Sequence, residues 1–230
     1  MKTIGLIGGM SWESTVSYYQ LINEYIKHAL GGLHSAKIIL YSVEFQEIEE
    51  CQSSGNWARS AEILADAAKK LETGGADFIL ICTNTMHKVF DEIAAAVKVP
   101  VIHIAEATAQ ALKAQGINKT ALLGTKYTMT QDFYKQKLID AGIEVLVPDE
   151  ADVEMVNKVI FDELCLGEIR DASRTEFSRV IGELATQGAQ AVILGCTEIG
   201  LLISQKDSPL PVFDTTLIHA EMAAKMALEA

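Results

Sequence analysis

Short apolar runs recur along the chain between longer amphipathic stretches. The runs are Ile4–Ile7, Ile38–Val43, Phe78–Cys82, Val101–Ile104, Ala121–Leu123, Val145–Val147, Ala191–Leu194 and Pro211–Phe213. Between them, stretches such as Ser60–Thr73 and Arg174–Thr186 carry apolar residues at helical spacing. A strand that is apolar along its whole length must be covered on both faces, which is the situation of a parallel sheet. Strands of that kind alternating with helices predict an α/β fold.

The pattern also repeats. Leu71-Glu72-Thr73-Gly74-Gly75-Ala76-Asp77 is echoed 113 residues later by Leu184-Ala185-Thr186-Gln187-Gly188-Ala189-Gln190. Leu6-Ile7-Gly8 matches Leu122-Leu123-Gly124, Thr15 with Tyr18-Tyr19 matches Thr130 with Phe133-Tyr134, and Val99-Pro100-Val101 matches Leu210-Pro211-Val212. These matches keep one order at offsets of 111 to 116. They predict two pseudo-symmetric, doubly wound lobes of the flavodoxin-like kind, each with about four parallel strands. With Pro100 and Pro211 marking equivalent crossovers, residues 1–98 plus 208–230 form the expected first lobe and 99–207 the second. Ligands of such sheets bind beyond the carboxyl ends of the strands, so the expected site is a cleft where the two lobes present those ends to one small molecule.

Composition narrows the function. Nineteen Lys+Arg against 31 Asp+Glu give a net charge of −12, which disfavours a nucleic-acid or anionic-membrane surface. Two tryptophans are too few for a base-stacking platform. The opening apolar run is too short for a signal peptide or a membrane span. The four cysteines, Cys51, Cys82, Cys165 and Cys196, form no C-x-x-C pair, and the expectation is a cytoplasmic chain with reduced thiols. The five histidines form no H-x-x-x-H pair, so a zinc site is unsupported. Neither a dinucleotide fingerprint, a P-loop nor a G-x-S-x-G elbow is present.

The candidate chemistry lies at the strand-end turns. From Gly75 to Thr83 is eight residues, and so is Gly188 to Cys196, which makes Thr83 the repeat partner of Cys196. Cys82 is one residue out of that register and is expected on the opposite face, packed away from the site. Cys196 at a strand-to-helix turn is expected to gain thiolate character from the helix N-terminus. The Gly8-Gly9-Met10-Ser11 turn offers N–H groups that could hold a carboxylate or phosphate. Its counterpart Gly124-Thr125-Lys126-Tyr127-Thr128 offers Lys126 and Thr128 as carboxylate partners. His87, four residues after Thr83, could orient or activate that turn or relay a proton.

Together these turns resemble the aspartate/glutamate racemase family. The resemblance rests on Gly8-Gly9 with Ser14-Thr15 and Tyr18-Tyr19, on Thr83-Asn84-Thr85-Met86-His87, and on Gly124-Thr125-Lys126-Tyr127-Thr128. It rests further on Leu194-Gly195-Cys196-Thr197-Glu198 and Pro211-Val212-Phe213-Asp214-Thr215, and runs from about residue 3 to 220. The family's first catalytic cysteine is Thr83 here, as in the subgroup of L-aspartate/glutamate-specific racemases. The resemblance implies racemisation without cofactor or metal. One group removes the Cα proton and another reprotonates the opposite face, with Thr83 and Cys196 in those roles and a kinetic bias to one enantiomer. It implies Asn84 and Thr85, with the repeat counterpart Thr197, as binders of the α-carboxylate, and Met10, Gln52 and Cys165 as further pocket residues. Some relatives carry a lysine at the position of Cys165. The family also implies a homodimer. Other readings are a malonate decarboxylase or maleate isomerase of the same superfamily, and a non-catalytic amino-acid-binding protein.

Overall fold

The computed structural model describes residues 1–229, and the chain divides into two compact units. The first spans Met1–Ile104 and takes up the chain again from His219; the second is Ala105–Ile218.

The first unit runs β1 (Thr3–Gly8), α1 (Trp12–Leu30), β2 (Lys37–Ser42), α2 (Phe45–Ser53), α3 (Trp57–Thr73) and β3 (Phe78–Ile81). A 3-10 turn (Thr85–Val89), α4 (Phe90–Ala95) and β4 (Val101–Ile102) complete its sheet. All pairings are parallel, in the order β2-β1-β3-β4. The second unit runs α5 (Ile104–Ala114), β5 (Lys119–Gly124), α6 (Lys126–Thr130), α7 (Asp132–Asp140), β6 (Glu144–Leu146) and α8 (Glu150–Asp162). A 3-10 turn (Leu164–Leu166), α9 (Asp171–Thr186), β7 (Val192–Gly195), α10 (Ile199–Leu202), β8 (Val212–Asp214) and α11 (Thr215–Leu228) follow. Its sheet is again parallel, in the order β6-β5-β7-β8. The two halves therefore share one doubly wound plan, as the repeat predicts.

Alternation along the strands sorts the cores. Ile7, Ile79 and Ile81 pack on one face of the first sheet with Leu64, Leu71 and Met86. Ile4, Leu6, Phe78, Leu80 and Cys82 pack on the other with Tyr18, Ala220, Ala223 and Ala227. Cys82 is thus fully buried under α1 and α11, and burial pushes its thiol far up. Val192, Leu194 and Cys196 share one face of β7 and the turn after it, with Phe177, Val180 and Ile199.

The crossovers differ from those expected at 98/99 and 207/208. Pro100 and Pro211 precede edge strands, and their carbonyls accept the first ladder bonds, from the Ile79 and Val192 N–H groups, each at 2.9 Å. Proline lacks only the donor and is tolerated at an edge, so each proline belongs to the sheet it follows. The chain changes unit later, at the start of α5 and within α11.

Candidate active site

In a doubly wound sheet of order 2-1-3, the switch point lies between the carboxyl ends of strands one and three. In the first unit those ends carry Gly8-Gly9-Met10 and Thr83-Asn84-Thr85; in the second, Gly124-Thr125 and Cys196-Thr197. The fold therefore brings the residues singled out from the sequence to two equivalent places, one in each unit.

In the first unit, Thr83, Asn84 and Thr85 are all buried. Gln52, near the end of α2, reaches the same turn: its Nε2 lies 3.0 Å from the Met86 sulfur. Met10 is a core side chain, packed in the cluster that holds Met86 and Ile48. The glycine turn does not keep all of its donors for a ligand. Gly9, at φ 89°, donates its N–H to the Thr15 hydroxyl at 2.8 Å. A Cβ on Gly9 would meet the Val43 carbonyl oxygen at 2.3 Å, so only glycine fits there. The Ser11 hydroxyl caps α1 by accepting from the Ser14 N–H.

His87 is buried, with Nδ1 2.8 Å from the Thr83 carbonyl oxygen and Nε2 accepting the Ile104 N–H at 3.1 Å. His103 and His219 are buried beside it, and His219 bonds the Tyr18 hydroxyl and the Ile102 carbonyl. Burial and the neighbouring His87 lower the His219 pKa to about 3.

In the second unit, the Cys196 thiol donates to Glu198 Oε2 at 3.0 Å, and the Thr197 hydroxyl donates to the same oxygen at 2.8 Å. All three residues are buried. Burying a carboxylate costs several kcal/mol unless donors replace its water, and here two side chains do so. The expected thiolate character is not what the structure gives. Burial, the Glu198 carboxylate and the nearby Cys165 hold the Cys196 thiol well above its ordinary range, and the Glu198 N–H opposes them only weakly. The physical reason is that α10 has only four residues and a correspondingly small dipole, whereas burial and a carboxylate act at contact. The resting thiol is therefore protonated, with a carboxylate placed to take its proton. Glu198 is a candidate functional residue that the sequence reading left unassigned; the signal was an acidic residue two places after a strand-end cysteine.

The remaining predicted residues are placed less uniformly. Thr128 is fully buried, and its hydroxyl lies 3.1 Å from that of Thr125, the N-cap of α6. Lys126 is half exposed and ion-paired with Glu154 on α8, which raises its pKa. Its ammonium is engaged on the surface, where the sequence reading expected a substrate partner. Cys165 is partly buried and packs against the core cluster that contains Cys196. Among the described residues no group of three or more His, Cys, Asp or Glu is placed to hold a metal ion. No helix among them is long and apolar enough to cross a membrane.

Two linked α/β units with a hydroxyl and a thiol at equivalent switch points define a class, and comparison with known proteins specifies it. Residues 7–223 match the Asp/Glu/Hydantoin racemase family, and the chain belongs to that family. It is similar to the broad specificity amino-acid racemase RacX of Bacillus subtilis (strain 168), 26% identical over 225 residues, with 95% of each chain covered. Among solved structures it resembles a provisionally assigned Asp/Glu racemase from Yersinia pestis, 56% identical with a TM-score of 0.93 and all of both chains covered. It also resembles an aspartate racemase homologue from Pyrococcus horikoshii OT3, 38% identical with a TM-score of 0.87, again with both chains covered in full.

Proposed function

We propose that this chain racemises a free α-amino acid of the aspartate/glutamate class without pyridoxal phosphate or metal, in a cytoplasmic setting that keeps its thiols reduced. The observation that carries the reading is the Cys196–Glu198 pair, a buried thiol already hydrogen-bonded to a carboxylate at a switch point. Racemisation needs two acid/base groups acting on opposite faces of one Cα. Cys196 supplies one and Thr83 the other. Proton transfer from thiol to Glu198 makes the thiolate without changing the net charge of the pair. The thiolate then takes the Cα proton and leaves a planar carbanion. The Thr83 hydroxyl protonates the other face, and exchange with solvent then removes the proton from Glu198 and restores one to Thr83, so one proton is lost and one gained. Donors on Asn84, Thr85 and Thr197 offset the charge that develops on the α-carboxylate.

A hydroxyl is a far weaker acid than a thiol, so the carbanion is captured faster from the Cys196 side than from the Thr83 side. Enantiomers have equal free energies and share one transition state, so kcat/KM is the same in both directions. The bias to the L enantiomer is therefore one of kcat and KM together, by one common factor set by how tightly each enantiomer is held.

A wider substrate range is the second reading, and two observations favour it. The Lys126 ammonium is committed to Glu154, and Cys165 brings no charge where some relatives carry lysine. The likeness to a broad specificity racemase points the same way.

The test is proton NMR in D2O with L- and D-aspartate, L- and D-glutamate and a set of neutral amino acids, with chiral analysis of the products. Loss of the Cα–H signal with inversion is expected. No exchange with any of them would exclude racemisation and send the search to substituted malonates and maleate. Thermal stabilisation by an amino acid that is never turned over would instead mark a binding protein.

A further inference from the structure

All five histidines belong to the first unit, and three of them are buried together. The His87 ring lies 4.6 Å from His103 and 6.1 Å from His219, centroid to centroid, and stacks on Phe90. The proton positions follow from the partners. A backbone N–H can only donate, so the Ile104 N–H requires His87 Nε2 to be unprotonated. Nδ1 therefore carries the proton and donates it to the Thr83 carbonyl oxygen. The imidazole is neutral, and each of its nitrogens is bonded to main chain. Relaying a catalytic proton would mean breaking one of those bonds.

We propose that His87 is a positioning residue that acts through Thr83. A peptide unit is planar, so holding the Thr83 carbonyl fixes the Thr83–Asn84 plane and turns the Asn84 N–H away from the imidazole. The same bond fixes the backbone on which the Thr83 hydroxyl stands. A weak acid/base group depends most on such placement, because a misplacement of about 1 Å can cost about 100-fold in rate. The inference rests on the racemase reading.

The second unit shows what the device is for. The register that pairs Thr83 with Cys196 pairs His87 with Gly200. A Cβ at Gly200 would lie 2.4 Å from Asp214 Oδ2, so that space is filled by a carboxylate. Asp214 is in turn the repeat counterpart of His103, each standing three residues after its proline. No imidazole holds the Cys196 turn; the thiol takes its direction from Glu198. The main-chain clamp is found on the half whose acid/base group is weak.

Two substitutions separate the bonds. His87→Asn keeps a donor near the place of Nδ1, and His87→Gln keeps an acceptor near the place of Nε2. Racemisation rates are measured on folded protein, normalised by circular dichroism. The expectation is a fall of about tenfold or more in kcat for His87→Gln, and recovery to within about threefold of the parent for His87→Asn. A purely structural histidine would show no such order. His87→Gln as fast as the parent, or His87→Asn as slow as His87→Gln, overturns the inference while the racemase reading stands. A parent that inverts no amino acid sinks the reading itself. Should neither variant fold, nitrogen NMR of the parent decides. An Nδ1-protonated His87 ring at neutral pH is expected, and an Nε2-protonated ring contradicts the inference.

Discussion

The turn after β3 and the turn after β7 stand at the same point of the same sheet plan, yet they are held in opposite ways. The first presents a hydroxyl, Thr83, on a backbone clamped by the His87 imidazole. The second presents a thiol, Cys196, held side chain to side chain by the Glu198 carboxylate. At the matching position below each turn, the first unit has an imidazole and the second has a glycine filled by Asp214. The comparison separates topology from reactivity. Strand order fixes where a reactive group stands, and a few local side chains fix whether it is a strong base, a weak acid or a structural prop.

Removing the strong half gives the largest effect. Cys196→Ala is expected to lower racemisation by about 100-fold or more, the usual worth of a general acid/base group. Steady-state rates with a chiral readout check this, and a variant at the parent rate would assign the chemistry elsewhere.

Glu198→Gln sharpens the account of that half. In the proposed mechanism the carboxylate takes the thiol proton, and it also holds the thiol up by its charge. The variant is therefore expected to lose about tenfold to 100-fold in kcat, while the rise of kcat/KM with pH moves to higher pH, because the still-buried thiol must then lose its proton to solvent. An unmoved pH profile would show that Glu198 does not set the thiol's ionisation.

A smaller effect concerns the first unit alone. The His219 pKa is lowered from 6.5 to about 3, so the unfolded chain binds a proton in a range where the folded one does not. That stability is present above the unfolded value and is lost as pH falls from 6.5 toward 3, by about 1.4 kcal/mol per pH unit at most. Hydrogen exchange followed from neutral pH to about pH 5 is expected to speed up in the first unit before the second. Equal loosening of both units would refute this.

Much of this comparison is visible in the chain itself. The eight apolar runs are eight strands, because a buried parallel strand leaves a run that little else imitates at that length. Counting from Gly75 and Gly188 separates Cys82 from Thr83, because alternation in a strand is strict. What the sequence hid depends on contacts between distant residues. Pro100 and Pro211 look like breaks between lobes until their carbonyls are seen to join the ladders. Lys126 looks available until Glu154, on another helix, is placed beside it. The Thr15 hydroxyl that takes the Gly9 N–H lies six residues away, so the glycine turn reads as an open anion site. Cys196 at a strand-to-helix turn suggests an activated thiolate, because neither the shortness of α10 nor the burial of Glu198 is written in the pattern.

The central claim is that one chain carries two unequal acid/base halves. Exchange of the Cα–H for deuterium, compared with inversion, from the L and the D enantiomer of one substrate in D2O tests it most directly. The account predicts that the L enantiomer, deprotonated by Cys196, exchanges with retention faster than it inverts, while the D enantiomer exchanges only as it inverts. Equal ratios of exchange to inversion from the two enantiomers would contradict it, because the hydroxyl of Thr83 would then be matching the thiol of Cys196.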